Sequence, residues 1–121
     1  MEKTAFRAAT RYVERKGYEI LETCPPFIGA EDNGVFTMIG VTHFAEGDFT
    51  DDPAPCREDY ERAMIKMALA GGVPTDVPIR LDHVSIRIVS EETAILRHHI
   101  GLDFGGREDA DRGAEKSDAG L

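Results

Sequence analysis

Val35-Phe36-Thr37-Met38-Ile39-Gly40-Val41-Thr42-His43-Phe44 is built almost wholly of apolar and β-branched residues. A strand with one face in water alternates apolar with polar side chains, whereas a strand covered on both faces has no need to. The stretch therefore predicts a strand at the centre of a sheet, and a central strand needs a covering layer on each side.

Toward the N-terminus, Asn33-Gly34 gives a hairpin signal within the turn Glu31-Asp32-Asn33-Gly34, and Phe27 to Ala30 predicts a stub strand before it. Pro25 and Pro26 close an earlier β-prone run, Tyr18 to Cys24, because neither ring nitrogen can donate to a ladder. Ahead of that run, Ala5, Ala8, Ala9, Tyr12 and Val13 recur at three- and four-residue spacing. This spacing predicts an amphipathic helix, with Gly17 as its left-handed stop.

Toward the C-terminus, Ala45 to Asp59 holds six acidic residues, two prolines and Arg57 as its one base. The composition predicts an acidic mobile loop over 45–56. Helical spacing returns from Arg57 to Ala70 through Tyr60, Ala63, Met64, Met67 and Ala68, and Gly71-Gly72 stops it. Ile79 to Val89 sets Val84, Ile86 and Ile88 in alternation with His83, Ser85 and Arg87, and Thr93 to Ile100 makes a hairpin partner. From Asp103 to Leu121 the chain carries six acidic and three basic residues without apolar periodicity, which predicts an acidic, disordered tail over 103–121. The expected class is α/β, a single domain over 1–102 with a mixed β-sheet flanked by helices near 3–16 and 57–70. The expected order is α-β-(β)-β-α-β-β.

The charge narrows the function. Lys and Arg number 14 against 23 Asp and Glu, a formal charge of −9 over 121 residues, which opposes general attraction to a phosphate backbone or an anionic membrane. No run approaches the ~18 apolar residues of a membrane helix, so the expectation is a cytoplasmic protein with no membrane partner. Cys24 and Cys56 are too few for a disulfide framework or a four-thiolate zinc site, and neither has a base nearby in sequence that would make it a nucleophile.

His83, His98 and His99, with Asp82 or Asp103, form the one histidine cluster. Neighbouring strand residues point to opposite faces, so His98 and His99 are poorly placed to share an ion, and no metal or other cofactor is expected. Gly71-Gly72 follows a helix and so cannot present a phosphate to a helix N-terminus. Arg7, Arg11 and Arg15 recur every four residues and with Lys16 make a basic stripe, the local exception to the negative charge. Such a stripe is either a solvated face paired in part with Glu14 and Glu19, or a grip for phosphates.

Four segments taken in order carry a likeness. Tyr12-Val13-Glu14-Arg15-Lys16-Gly17-Tyr18-Glu19-Ile20-Leu21-Glu22, Val35-Phe36-Thr37-Met38-Ile39, Arg80-Leu81-Asp82-His83-Val84-Ser85-Ile86, and Leu96-Arg97-His98-His99-Ile100 followed by Phe104 resemble successive motifs of the YraN family of small predicted endonucleases. The resemblance spans about residues 5 to 104 and implies a restriction-endonuclease-like, Holliday-junction-resolvase-like domain. It also implies a metal site built from a helix Glu, a strand Asp and a Glu-x-Lys pair. Those positions fall near Phe6, at or near Pro26, and on Met38 and Gly40, whose side chains offer no carboxylate to a hard cation.

The resulting expectation is a catalytically silent, endonuclease-like domain with no catalytic residues. It would bind DNA or RNA weakly through Arg7, Arg11, Arg15 and Lys16, or bind a protein partner or its own copies, within a DNA- or RNA-processing system. One alternative is an active nuclease using migrated carboxylates, with Glu31, Asp32 and Glu46 nearest the central strand. Another is a purely structural or oligomerisation module.

Overall fold

The computed structural model describes residues 3–44, 55–74 and 76–103. Its elements run α1 (Lys3–Arg15), β1 (Glu19–Cys24), β2 (Phe27–Asp32), β3 (Val35–Phe44), α2 (Arg57–Leu69), β4 (Ile79–Ser90) and β5 (Thr93–His99). Both helices end by one device. At α1, Gly17 takes φ +97°, its N–H donates to the Glu14 carbonyl at 2.9 Å and the Tyr18 N–H donates to the Val13 carbonyl at 3.2 Å. At α2, Gly71 donates to Ala68 and Gly72 to Met67, at 3.0 and 2.9 Å. Each pair of bonds satisfies carbonyls that the helix leaves open and turns the chain out of it.

The five strands form one sheet in the order β1-β2-β3-β4-β5, so the stretch from Val35 is its middle strand. The β3–β4 pair is parallel and the other three pairs are antiparallel. Parallel neighbours need a crossover, and α2 lies within it. Successive β3 side chains serve opposite layers. Ile39 and Val41 join Ile28, Ala30, Val84 and Ile86 beneath Ala5, Ala9 and Val13 of α1, while Phe36 and Met38 join Phe27 beneath Tyr60, Ala63 and Met67 of α2. Helix on sheet on helix removes both faces of β3 from water, which is why its sequence does not alternate.

Two expectations change. The stub strand is a full strand ending at Asp32, because the turn needs only Asn33 and Gly34, at φ +53° and +85°, with Asp32 paired directly to Val35. Alternation along β4 does not become alternation in burial: His83 is 1% exposed and Ser85 0%, since β4 lies inside the sheet beside β3. Alternation in burial belongs to β5, where Thr93, Ile95, Arg97 and His99 are exposed and the residues between them are half-buried. The segment expected to be an acidic loop falls, over 45–54, outside the described residues, as does the tail from 104 onward. Among the described residues no helix is long and apolar enough to cross a membrane.

Candidate functional site

The α1 side of the sheet holds a buried polar cluster where β4 begins. Arg80 and Asp82, two apart on β4, share this face, and the carboxylate of Asp82 is fully buried. A buried carboxylate is costly unless donors surround it, and four do. Arg80 Nε reaches Oδ1 at 2.9 Å and Arg80 Nη2 reaches Oδ2 at 3.0 Å. His98 Nε2 lies 2.9 Å from Oδ2, and the Gly101 N–H donates to Oδ1 at 3.0 Å. Burial alone would push the Asp82 carboxyl up, but the bonds from His98, Arg80 and Gly101 hold it below the ordinary carboxylate value. Arg80 also donates to Asp32 at 3.0 Å and to the Tyr18 hydroxyl at 2.8 Å, and its hydrogen bond to Asp82 leads in raising its pKa.

From His98 the chain of bonds continues outward. Its Nδ1 is 2.8 Å from the Tyr12 hydroxyl, and its ring meets those of Tyr12 and Tyr18 edge to face at centroid separations of 5.4 and 6.0 Å. An ionised carboxylate only accepts, so Nε2 carries its proton toward Asp82, and in the neutral imidazole Nδ1 accepts from Tyr12. Carboxylate, imidazole and hydroxyl in this order are the parts of a nucleophile relay. The phenol, however, is shifted the wrong way: burial, then the Asp82 charge, raises its pKa. The Tyr12 proton is therefore held rather than released, and the network fastens α1 to β4 and β5.

The same cluster bears on two readings that the sequence leaves open. Asp82 and His98 do meet, but His83 lies on the opposite face, bonded to Thr42 at 2.8 Å and stacked on His99 with centroids 5.7 Å apart. The sheet thus splits the histidine cluster, and among the described residues no three His, Cys, Asp or Glu side chains could hold a metal ion together. Of the migrated-carboxylate candidates, Asp32 is engaged by Arg80, Glu31 is half-buried on β2 opposite Phe36, and Glu46 falls outside the described residues.

The positions implied by the endonuclease resemblance are brought together only in part. Gly40 pairs with Phe27, and the Val41 N–H donates to the Pro26 carbonyl at 2.9 Å, so Pro26 and Gly40 adjoin and Met38 lies two residues along the same strand face. Phe6 packs in the α1 layer, on the other side of the sheet. The Gly40 position is also closed. A Cβ there would come within 2.8 Å of the Tyr60 hydroxyl oxygen and 2.9 Å of a Pro55 ring carbon, and Tyr60 is fixed by donating to the Asp82 carbonyl at 2.7 Å. A lysine side chain has no room at that point. Beside Pro26 a groove of about 540 Å³ is lined by Cys24, Thr42, Arg62 and Lys66 among others. Asp59 is its one carboxylate among the described residues, and Arg62 and Cys56 already hold it.

Arg7, Arg11 and Arg15 on α1 and Lys16 just after it are all exposed, and among the described residues none is held in an ion pair. The expected partial pairing with Glu14 and Glu19 is not formed. The Lys16 ammonium lies 6.0 Å from the Tyr12 ring centroid. Successive arginines sit one helical turn and a little more apart, about 6 Å along the axis, on a helix whose opposite face is locked to the sheet. Neither cysteine is bonded to the other; Cys24 is half-buried and Cys56 exposed at the start of α2. The Asp59 backbone hydrogen bond favours the Cys56 thiolate, but the bond to the Asp59 carboxylate works against it and the thiol ends above its ordinary value. Sequence reasoning missed the Arg80–Asp82–His98–Tyr12 network. The available signal was Arg and Asp at a two-residue spacing inside a strand, a pattern that places opposite charges on one face. No family model, no curated protein and no solved structure matches this chain.

Proposed function

We propose that the chain is a catalytically silent, restriction-endonuclease-like domain related to the YraN family, which binds a DNA or RNA strand through the exposed face of α1 within a nucleic-acid-processing system. The observation that carries the reading is the closure of Gly40 by Tyr60 and Pro55, where the resemblance would put a catalytic lysine, in a chain whose α1 and the residue after it expose the stripe's four cations, none of them in an ion pair among the described residues. The α/β sheet with its strands in the order of the four resembling segments also supports it. Chemistry is withdrawn in this reading and a phosphate-binding surface is kept. Weak, salt-sensitive attachment is what such a stripe on a chain of charge −9 should give.

The test is to incubate the purified chain at low salt with labelled single- and double-stranded DNA and RNA, with Mg²⁺ and with Mn²⁺, measuring retention and cleavage together. Retention without cleavage is expected. Chelator-sensitive cleavage lost in Asp32→Ala would restore the migrated-carboxylate reading, and absence of retention on every substrate would remove nucleic acid as the partner.

A further inference from the structure

Among the described residues the sheet has two unpaired edges, and they differ in a way that bears on association. β1 carries a register irregularity between Ile20 and Glu22, two glutamates, and Pro25-Pro26 directly after it. Bulges, charges and prolines are the devices that stop one sheet edge from pairing with another. β5 has none of the prolines or lysines, its hairpin's irregularity falls between Ile88 and Ser90 of β4, and Ile95 is 48% exposed. Among the described residues no strand covers its outer side.

The charges along β5 run in order. Glu91 and Glu92 stand at the turn that starts the strand, and Arg97 and His99 stand exposed near its end, with His98 between them turned inward to Asp82. Antiparallel pairing of two such strands sets the acidic start of one beside the basic end of the other. Parallel pairing would set like beside like.

We propose that β5 pairs antiparallel with β5 of a second copy of this chain across a two-fold axis at Leu96, making one ten-stranded sheet. In this register Leu96 faces Leu96 of the other copy, Ala94 faces His98, Thr93 faces His99 and Ile95 faces Arg97. The strand's one permanent charge thus lies along an apolar neighbour, and its stem can cover that surface. The axis stands perpendicular to the sheet, so the contact is isologous and closes at two copies. Both α1 helices fall on the same side. With strands ~4.8 Å apart and α1 centred near β3, their axes lie about 24 Å from each other. The pairing does not require the nucleic-acid reading, and if both hold, the two cationic faces point the same way.

Sedimentation equilibrium of the full chain tests this without nucleic acid, so its failure and that of the binding reading stay distinct. An interface made of one strand pair is small, and self-association on the order of 10–100 μM is expected. Ile95→Lys puts a cation opposite Arg97 twice and should weaken association about tenfold, while Ile95→Glu puts an anion there and should not weaken it. Hydrogen exchange of the unmodified chain supplies a readout independent of either variant folding: β5 amides should gain protection as concentration rises, and β1 amides should not. A monomer throughout, to about 1 mM, overturns the proposal. So does association that Ile95→Lys leaves unchanged, or exchange in β5 that ignores concentration.

Discussion

Asp82 organises the polar side of this molecule, and its energetics follow from its burial. Removing one partner from a buried, hydrogen-bonded ion pair leaves the other uncompensated, so Asp82→Asn should lower stability by about 3 kcal/mol in urea unfolding at neutral pH. The carboxyl is held below its unfolded value, near 3.9 in model peptides. Its contribution is therefore fully present above the unfolded value and is lost as pH falls through the folded one. Stability of the unmodified chain should drop steeply below about pH 4, and the drop should be shallower in Asp82→Asn. An equal acid dependence in the two proteins would show that Asp82 is not the titrating group that matters.

Gly40 gives the second residue-scale expectation. Gly40→Ala drives a methyl to within 2.8 Å of the Tyr60 hydroxyl oxygen and should cost about 1–3 kcal/mol. Tyr60→Phe removes that oxygen along with its bond to the Asp82 carbonyl. The double substitution should cost less than the two single ones together, a coupling that melting curves of the three variants would read.

Among the elements, the most local features were legible from the chain alone. Gly17 and Gly71-Gly72 mark where the helices stop because positive φ is nearly free only for glycine, and Gly17→Ala, at φ +97°, should lower the melting temperature by the equivalent of about 1 kcal/mol. An unchanged melting temperature would mean that the cap contributes nothing. The central strand was legible because an unbroken apolar run has few alternatives. The end of β2 was not, since Glu31 and Asp32 are common turn residues and only the Arg80 partner, 48 positions away from Asp32, shows why an acid continues the strand. The Asp82–His98 contact was hidden for the same reason. It depends on β4–β5 register, which pairs Val84 with His98, and register is a property of two strands rather than of either sequence.

At the scale of the whole molecule the charge is unevenly placed. The chain carries −9, yet Lys3 to Arg15 contains four basic residues and one acidic residue, on a helix anchored beneath by Val13 and the Tyr12–His98 bond. A cationic face on an acidic body attracts a polyanion in one orientation only, at short range, and at low ionic strength. That asymmetry was visible in the sequence, whereas the freedom of its cations from Glu14 and Glu19 needed the structure. The most direct test of the account is fluorescence anisotropy of a labelled single-stranded oligonucleotide, titrated with the unmodified chain and with the Arg7→Ala/Arg11→Ala/Arg15→Ala variant over a series of salt concentrations. If four cations each displace a counterion, log Kobs should fall with log salt at a slope of about −3 for the unmodified chain, and at about −1 for the variant, which keeps Lys16. Equal slopes and equal affinities for the two proteins, or no binding by the unmodified chain at the lowest salt, would contradict it.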